Sequence, residues 1–409
     1  MKPQSPPATP SPAPAAILLP ERPMPWALLA AACLGMFAAS CSGTTRAPFL
    51  LDMARDLGAS LPLVANLVAM TSVAWGAASL VAGAGSDRWG RQPFLIGGPV
   101  ALALAMTGVA TAGSFLMVAV WATAAGACSG VFTGVMFAEA SARVEDRQRG
   151  RALGWVMSGQ SLTLVVGVPL AAWVGTYIGW RGVNLCVGAL AALAAAGLLA
   201  CTWRRPSSAR AAGKGAPSWR AALSPLVLRL LAMGIAERVC YGLTAVYFAT
   251  FLQTTYALSL GAVALPLAIF ALGNIIGTVL GGQLADRLPN RLRTFACSML
   301  ASGGAALALF GWTAGLEWSV GLGFLYVFLN AIARPSLLAA LANVPDEVRG
   351  TVLGLNVTSA SFGWLGAAGL GGWMMATYGF GGFGPLAAGV SLLGAGLALA
   401  TGGRSSPGS

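Results

Sequence analysis

The amino-acid sequence predicts an all-α integral membrane protein, with twelve transmembrane helices arranged as two pseudo-symmetric six-helix bundles. Three observations indicate this fold. The 409 residues are 57% hydrophobic and only 9% charged, whereas about a quarter of the residues in soluble proteins are charged. The apolar residues form long continuous blocks rather than alternating with polar ones, which is typical of membrane spans. The second half of the chain also repeats the pattern of the first.

Twelve apolar blocks are long enough to cross the bilayer, because a helix needs about 20 residues to span roughly 30 Å of hydrocarbon. We number them span 1 to span 12. The first six cover residues 26–48, 62–84, 93–114, 116–140, 153–177 and 182–203. The second six cover residues 225–252, 260–284, 294–314, 318–341, 352–376 and 382–402.

The other segments divide the chain into its parts. Residues 1–24 are rich in proline, alanine and serine and lack the continuous apolar core of a signal peptide, so we expect a disordered tail. Residues 204–224 contain the basic stretch RRPSSARAAGKGAPSWR and are predicted to link a bundle of residues 25–203 to a bundle of residues 225–402. Residues 403–409 form a second tail.

The basic residues predict the orientation of the chain. Of the 24 lysines and arginines, 19 lie on the side of the termini and the linker, and only Arg46, Arg55 and Arg181 lie on the other side. This asymmetry follows the positive-inside rule, so both termini and the linker are predicted to be cytoplasmic. The net charge of +12 is therefore assigned to topology and not to nucleic-acid binding. We expect a multi-pass protein of the bacterial inner (plasma) membrane.

The reactive residue types argue against catalysis. The chain has no histidine, and none of its seven cysteines belongs to a CxxC pair, so we expect no disulfide framework and no metal site. No nucleophile–base pair can be assembled from the sequence. We therefore predict a protein that is not an enzyme and that holds no cofactor.

An internal repeat relates the two halves. The stretch RGRALGWVMSGQSLTLVVGVPLAAWVGTYIGW begins at Arg149, and RGTVLGLNVTSASFGWLGAAGLGGWMMATYGF begins at Arg349. Arg, Gly, Leu, Ser and Trp recur in them at constant spacing. Many secondary transporters are built from such repeats, with the substrate site at the repeat interface near the bilayer midplane.

A charged motif occurs between the second and third spans of each half. The stretch GSDRWGRQP supplies the first copy and GGQLADRLPNRLR the second, in which Pro289 and Asn290 replace Gly and Arg. Glycines permit a tight turn, and an aspartate can interact with the positive N-terminus of a helix. The motif positions are Gly83, Asp87, Arg88, Gly90 and Arg91, and then Gly282, Asp286, Arg287 and Arg291.

The two motifs, the twelve spans, the central linker and the repeat together resemble the major facilitator superfamily. In that family the loop latches the two bundles on the cytoplasmic side while the transporter faces outward, so the resemblance implies a cytoplasmic gating role here. It also implies that Glu139, near the inner end of span 4, pairs with one of the loop arginines. The alternative is that Arg88 and Arg91 are only topology charges.

Span 5 is similar to the signature of the drug:proton antiporter branch of this family. Gly159, Gly167 and Pro169 match the signature, although the proline lies one place late and other signature glycines are replaced. The alternative is that these small residues only allow close helix packing. Span 4 also departs from the family, which often has an arginine where Ala122 precedes Gly126.

A few charges lie within or beside the spans, where each is costly. Glu237 is the acid deepest in any span, and burial favours the neutral form of a carboxyl group, so we predict it as the proton carrier, with Asp52 as the second candidate. The alternatives are that Glu237 neutralises an arginine, that Arg46 extends to the outer surface and that Asp52 is a solvated loop acid. The predicted substrate-cavity residues are Arg46, Arg238, Tyr241, Tyr247, Tyr326, Asn330 and Arg334.

These features predict a secondary active transporter, and proton-coupled efflux of a small organic molecule by alternating access is the activity we expect. One alternative is a proton-coupled importer of an organic anion, which the cavity arginines would suit. Another is a membrane sensor or assembly protein that kept the fold without transporting. The expected partners are a small-molecule substrate, protons and the lipid bilayer, and the expected state is a monomer.

Overall fold

The computed structural model describes residues 24–144, 148–203, 224–343 and 346–402. Within these ranges the chain forms helices and no strand. The predicted tail up to residue 23, the linker 204–223 and the tail 403–409 lie outside the described residues.

Helices occupy all twelve predicted spans. In the first half they are Trp26–Thr44, Leu61–Trp89, Gln92–Thr111, Phe115–Ala142, and a pair running from Arg149 to Thr202 that divides at Gly179 into spans 5 and 6. In the second half they are Pro225–Tyr256, Ala264–Arg287, Arg291–Gly311, Leu316–Ala342, Asp346–Tyr378 and Phe383–Gly402. A 3₁₀ turn, Ala47–Phe49, and a short helix, Leu50–Asp56, follow span 1.

Length and hydropathy identify nine membrane-spanning segments among the described residues. Two of these, of 52 and 44 residues, are each long enough for two crossings because about 20 residues suffice for one. The helix Pro225–Tyr256, which carries Glu237 and Arg238, is not among the nine. It is nevertheless 32 residues long and packs between apolar neighbours, so it supplies the remaining crossing.

The first charged motif lies mostly in a helix rather than in a loop. Span 2 continues to Trp89, Gly90 ends it with a φ of 81°, and span 3 begins at Gln92. A positive φ at this point favours glycine, because a side chain is strained there. The apolar span ends at Gly83, close to the predicted residue 84. The helix continues to Trp89, because a helix retains its hydrogen bonds when it emerges from the membrane into polar surroundings.

A cluster of side chains joins the outer loops of the first bundle. Gly179, with a φ of 65°, turns the chain from span 5 into span 6. The next two residues, Trp180 and Arg181, donate hydrogen bonds of 2.9 and 2.8 Å to Asp56 Oδ2. Arg181 also lies 4.2 Å from the Trp180 ring centre, which adds a cation–π contact. Arg181, predicted only as a topology charge, thus ties the 5–6 turn to the end of the short helix.

In each bundle a row of glycines lets two helices pack closely: spans 2 and 4 in the first bundle and spans 8 and 10 in the second. On span 4, Gly126, Gly130 and Gly134 face the backbone or side chains of span 2, and on span 8, Gly273, Gly277 and Gly281 face span 10. An added Cβ on Gly281 would lie 2.6 Å from the carbonyl oxygen of Ile332, so no larger residue fits. Small residues spaced by four let helix backbones approach closely in membranes. These rows were not predicted, although the sequence contains their GxxxGxxxG spacing.

The same helix pairs pack in both bundles. Spans 2 and 4 correspond to spans 8 and 10, spans 3 and 6 to spans 9 and 12, and spans 1 and 5 to spans 7 and 11. Between the bundles, span 2 packs along span 11, and spans 5 and 8 meet less extensively. The predicted pseudo-symmetric pair of six-helix bundles is confirmed.

Several described contacts join the two bundles at the predicted outer side. Gln253 Nε2 donates a 3.1 Å hydrogen bond to Pro48 O. An added Cβ on Gly261 would lie 3.1 Å from Thr176 Cγ2, and one on Gly372 would lie 3.2 Å from Pro62 Cβ. Toward the other side, an added Cβ on Gly83 or Gly282 would meet no atom within 4 Å. The bundles are therefore in contact at the predicted outer side.

Candidate functional site

A charge cluster lies where spans 7 and 10 approach each other. Glu237 is 1% exposed, and its Oε1 accepts hydrogen bonds of 2.9 and 3.2 Å from Nη2 and Nε of Arg334. Its Oε2 lies 3.5 Å from Arg238 Nε. The carboxylate therefore interacts with two guanidinium groups, and both of its oxygens are engaged. This is the geometry of the alternative in which Glu237 neutralises arginines.

The same cluster retains excess positive charge. Two arginines face one glutamate, and the Arg334 guanidinium also lies 5.1 Å from the Tyr241 ring centre. The side chains of Arg238 and Arg334 are 24% and 16% exposed, so the positive end of the cluster is accessible while the carboxylate is not. Such a site can attract an anionic group or exchange one counter-ion for another.

Arg46 does not extend to the outer surface. Its side chain is 1% exposed, and Nη1 donates a 2.8 Å hydrogen bond to Thr71 Oγ1 in span 2. The Thr71 hydroxyl also lies 3.3 Å from the carbonyl oxygen of Ala122. The alternative that Arg46 extends to the outer surface is wrong, because the side chain turns inward between spans 2 and 4. In the family, the span 4 position held here by Ala122 often carries an arginine. In this chain a guanidinium also lies beside that position, but it belongs to Arg46 at the end of span 1.

Asp52, the second predicted proton carrier, is remote from the charge cluster. Its side chain is 44% exposed and lies 3.9 Å from Arg55 on the same short helix. It belongs to the short helix Leu50–Asp56 that follows span 1 on the predicted outer side, whereas Glu237 lies within span 7. The structure has the geometry of the alternative, a solvated acid, and does not place Asp52 in a cavity.

Three other predicted cavity residues lie inside the second bundle. Tyr247 donates a 3.2 Å hydrogen bond to Ala368 O, and Tyr326 donates one of 2.6 Å to Cys240 O. The Asn330 amide points toward Met299 Sδ, 3.8 Å away in span 9. All three side chains are fully buried and their described contacts lie within the second bundle, so their place in the cavity stays a prediction. Of the predicted set, the structure brings together Arg238, Tyr241 and Arg334 around Glu237.

The first gating motif is joined to span 4 by ion pairs. Arg91 Nη1 lies 3.4 Å from Glu139 Oε2 and donates a 3.2 Å hydrogen bond to Ala138 O. Arg143, which sequence analysis did not single out, donates a 2.6 Å hydrogen bond to the other Glu139 oxygen. Glu139 is buried. The loop arginine that pairs with Glu139 is therefore Arg91, while the gating role of this network stays a prediction.

In the second motif Arg291 contacts span 10 but pairs with no acid among the described residues, unlike Arg91 with Glu139. Arg291 donates hydrogen bonds of 3.1 Å to Ala285 O and 3.3 Å to Ala339 O, so it reaches the end of span 10 as Arg91 reaches the end of span 4. Asn290, in place of the expected arginine, accepts a 3.0 Å hydrogen bond from Arg293 N and caps span 9. Asp286, Arg287 and Arg88 are exposed.

The gating prediction can be tested at Asp87, whose side chain lies outside the described part of the structure. Asp87→Asn should weaken the outward-facing state and slow transport without preventing membrane insertion, because a capping carboxylate is lost. Transport rate and surface expression are the measurements. Asp286→Asn, in the degenerate copy, is the matched control and should have the smaller effect. Normal transport by a normally expressed Asp87→Asn variant would contradict the latch.

The span 5 signature contains a π turn. Residues Thr163–Gly167 form this turn, in which Val168 N–H bonds to Thr163 O. Thr163 Oγ1 lies 3.2 Å from Phe37 O, and an added Cβ on Gly167 would lie 3.0 Å from Cys41 Sγ, so the turn packs on span 1. A π turn takes up one extra residue. Pro169, one place late in the sequence, therefore lies on the helix face where the preceding position would lie in a regular helix.

Comparison with known proteins identifies the class to which this arrangement belongs. The family model described as Major Facilitator Superfamily matches residues 32–368 and, in a second match, residues 230–408. The chain belongs to this superfamily of multi-pass membrane proteins.

Individual relatives have low sequence identity to this chain. The chain is 29% identical over 292 residues to a chloramphenicol resistance protein of Streptomyces lividans, covering 70% of this chain and 73% of the relative. It is 28% identical over 271 residues to the transcription regulatory protein OpdE of Pseudomonas aeruginosa, covering 66% and 67%. The fold is similar to the crystal structure of a bacterial homologue of the human lysosomal transporter Spinster, inward-facing and unoccupied, with a TM-score of 0.67 and 16% identity over 93% of this chain and 94% of that one.

Proposed function

We propose that this protein exports a small organic molecule in exchange for protons, by alternating exposure of a central site between the two bundles. The observation that carries the proposal is the buried Glu237 held between Arg334 and Arg238 at membrane depth. The chloramphenicol resistance protein among the relatives supports export of a drug-like molecule. The chain is proposed to act as a monomer, without a cofactor and without catalysis.

The charge cluster suggests how a proton could be coupled to a substrate. With Glu237 ionised, the cluster has one negative and two positive groups and is closed on itself. Protonation removes the negative charge and leaves Arg238 and Arg334 without their counter-ion, which a buried site disfavours. A substrate group that binds the ionised carboxylate would therefore compete with the proton, as exchange requires. An anionic group that binds the freed arginines would instead move together with the proton, as the second candidate below requires.

A second candidate function is proton-coupled import of an organic anion. It is favoured by the excess of positive charge, since two arginines of the cluster face one carboxylate and Arg46 is buried without an acid beside it. The name of the OpdE relative keeps a sensor or regulatory role as a third candidate.

Reconstituted protein distinguishes these candidates. In liposomes that contain a pH-sensitive dye, addition of chloramphenicol should cause proton movement opposite to the drug flux for an exporter. An organic-anion importer would move protons with its substrate, and a sensor would move none. A thermal-shift screen against drugs, sugars and carboxylates supplies the substrate, because a ligand of the folded state raises its stability. Absence of any ligand-dependent proton flux would contradict transport.

The proposed orientation places both termini and residues 204–223 in the cytoplasm. A protease added to right-side-out membrane vesicles should therefore leave the linker intact, whereas it should cut the linker in inverted vesicles. Protected and cleaved fragments can be separated on a gel. Cleavage in right-side-out vesicles would reverse the orientation.

A further inference from the structure

Arg46 is the one guanidinium of the outer half that the described residues leave largely unpaired. Its Nη1 is bonded to Thr71, but Nε and Nη2 are buried and have no hydrogen-bond partner among the described residues. The acids of the outer loops are engaged elsewhere, since Asp52 lies beside Arg55 and Asp56 accepts from Trp180 and Arg181. The positive charge therefore has no acidic partner in the described structure.

The position of this charge makes the missing partner significant. Thr71 lies ten residues into span 2, which corresponds to about 15 Å of helix, so the guanidinium is well below the outer surface. A buried, unpaired ion is strongly unfavourable. The carboxyl end of span 1 lies nearby, but it offsets only a fraction of this unfavourable free energy, because a helix end carries about half an elementary charge.

The two unpaired nitrogens form one edge of the guanidinium plane. Nε–H and one Nη2–H point the same way, which is the geometry that binds both oxygens of a carboxylate. Thr71 occupies Nη1 on the other edge and fixes the orientation of the plane. The free edge therefore suits a planar anion with two oxygens better than a single point charge.

Closure of the outer side is directly connected to this residue. The 3₁₀ turn Ala47–Phe49 follows Arg46 immediately and contacts span 7, where Gln253 bonds to Pro48 O. When the bundles separate at this side, water can reach the start of the turn. When they close, the guanidinium loses water and gains only Thr71 as a partner.

From these observations we infer that Arg46 is the anion-recognition residue of the first bundle: the carboxylate, or a similar two-oxygen anionic group, of the transported molecule binds its free edge while the outer side is closed. This inference rests on the proposed alternating function and assigns its substrate an anionic group, so it favours an anionic molecule over neutral chloramphenicol as the substrate. It also gives the anion a role in the cycle, because the anion removes the cost of burying the guanidinium and so favours closure.

The test uses a disulfide that reports closure. In a chain whose seven native cysteines are replaced, Thr176→Cys and Gly261→Cys place two thiols across the outer contact. Acetate is the probe and acetamide its neutral analogue. Acetate should raise the oxidised fraction and acetamide should not. Arg46→Gln should raise that fraction without any acetate, since no charge is then buried, and should remove the response to acetate.

Two further variants make the result decisive. Arg46→Lys keeps the charge but loses the two-nitrogen edge, so the apparent affinity for acetate should fall by about tenfold or more without increased closure in its absence. Arg181→Gln removes an outer arginine that already has a partner and should behave like the parent. An acetate response that survives in Arg46→Gln, or a parent that does not respond, would overturn the inference. The assay needs neither a proton gradient nor transport. The disulfide result can therefore be interpreted even if the protein does not export the proposed substrate.

Discussion

Replacing Glu237 by glutamine should abolish uphill transport driven by a pH gradient while leaving substrate exchange at zero gradient partly intact. Glutamine keeps the size and much of the hydrogen bonding of glutamate but cannot release a proton. It also leaves Arg238 and Arg334, now 3.5 and 2.9 Å from the side chain at position 237, without a counter-ion. Breaking a buried pair in this way costs about 3–5 kcal/mol of folding free energy, so the yield of folded protein should fall as well.

The two effects can be separated by a second substitution. Glu237→Gln with Arg334→Gln removes one positive charge and should restore much of the folded yield, but it should not restore gradient-driven transport. Glu317→Gln, at an exposed acid at the start of span 10, is the control and should change neither. A folded Glu237→Gln protein that still concentrates substrate would exclude Glu237 as the proton carrier, and Asp52 is too exposed to be an obvious replacement.

Substituting Gly277 by valine should prevent correct packing of the second bundle. A side chain there would collide with the backbone carbonyl of Phe328, because spans 8 and 10 touch at this glycine. Overpacking of a close contact typically costs about 1–3 kcal/mol and more where backbone is the obstacle. We expect loss of monodisperse protein in size-exclusion chromatography and a lower melting temperature.

A matched glycine distinguishes packing from a general effect of substitution. Gly304, within span 9, would have no atom within 4 Å of an added Cβ, so Gly304→Val should be tolerated. If both variants fold equally well, the glycine row does not set the distance between spans 8 and 10. If both variants fail to fold, the spans do not tolerate valine in general, and the result does not support a specific role for the contact at Gly277.

The sequence by itself determined the architecture of this protein. Each span is a local property, since about 20 apolar residues must form a helix wherever they enter a bilayer. The repeat and the two charged motifs then predicted two equivalent bundles and the family. These predictions needed no knowledge of which helix contacts which, and the helix pairs and the family match confirm them.

The tertiary structure alone decided which side chains form the site. Glu237 and Arg334 are 97 residues apart in the chain, and their contact depends on the rotation and tilt of two helices, which packing sets rather than hydropathy. For the same reason the sequence could name Tyr247, Tyr326 and Asn330 as cavity candidates but could not show that their side chains bond within the second bundle. Arg46 shows this most clearly. An arginine at a span end can reach water or turn inward, and here a hydrogen bond to Thr71 on another helix holds it inward.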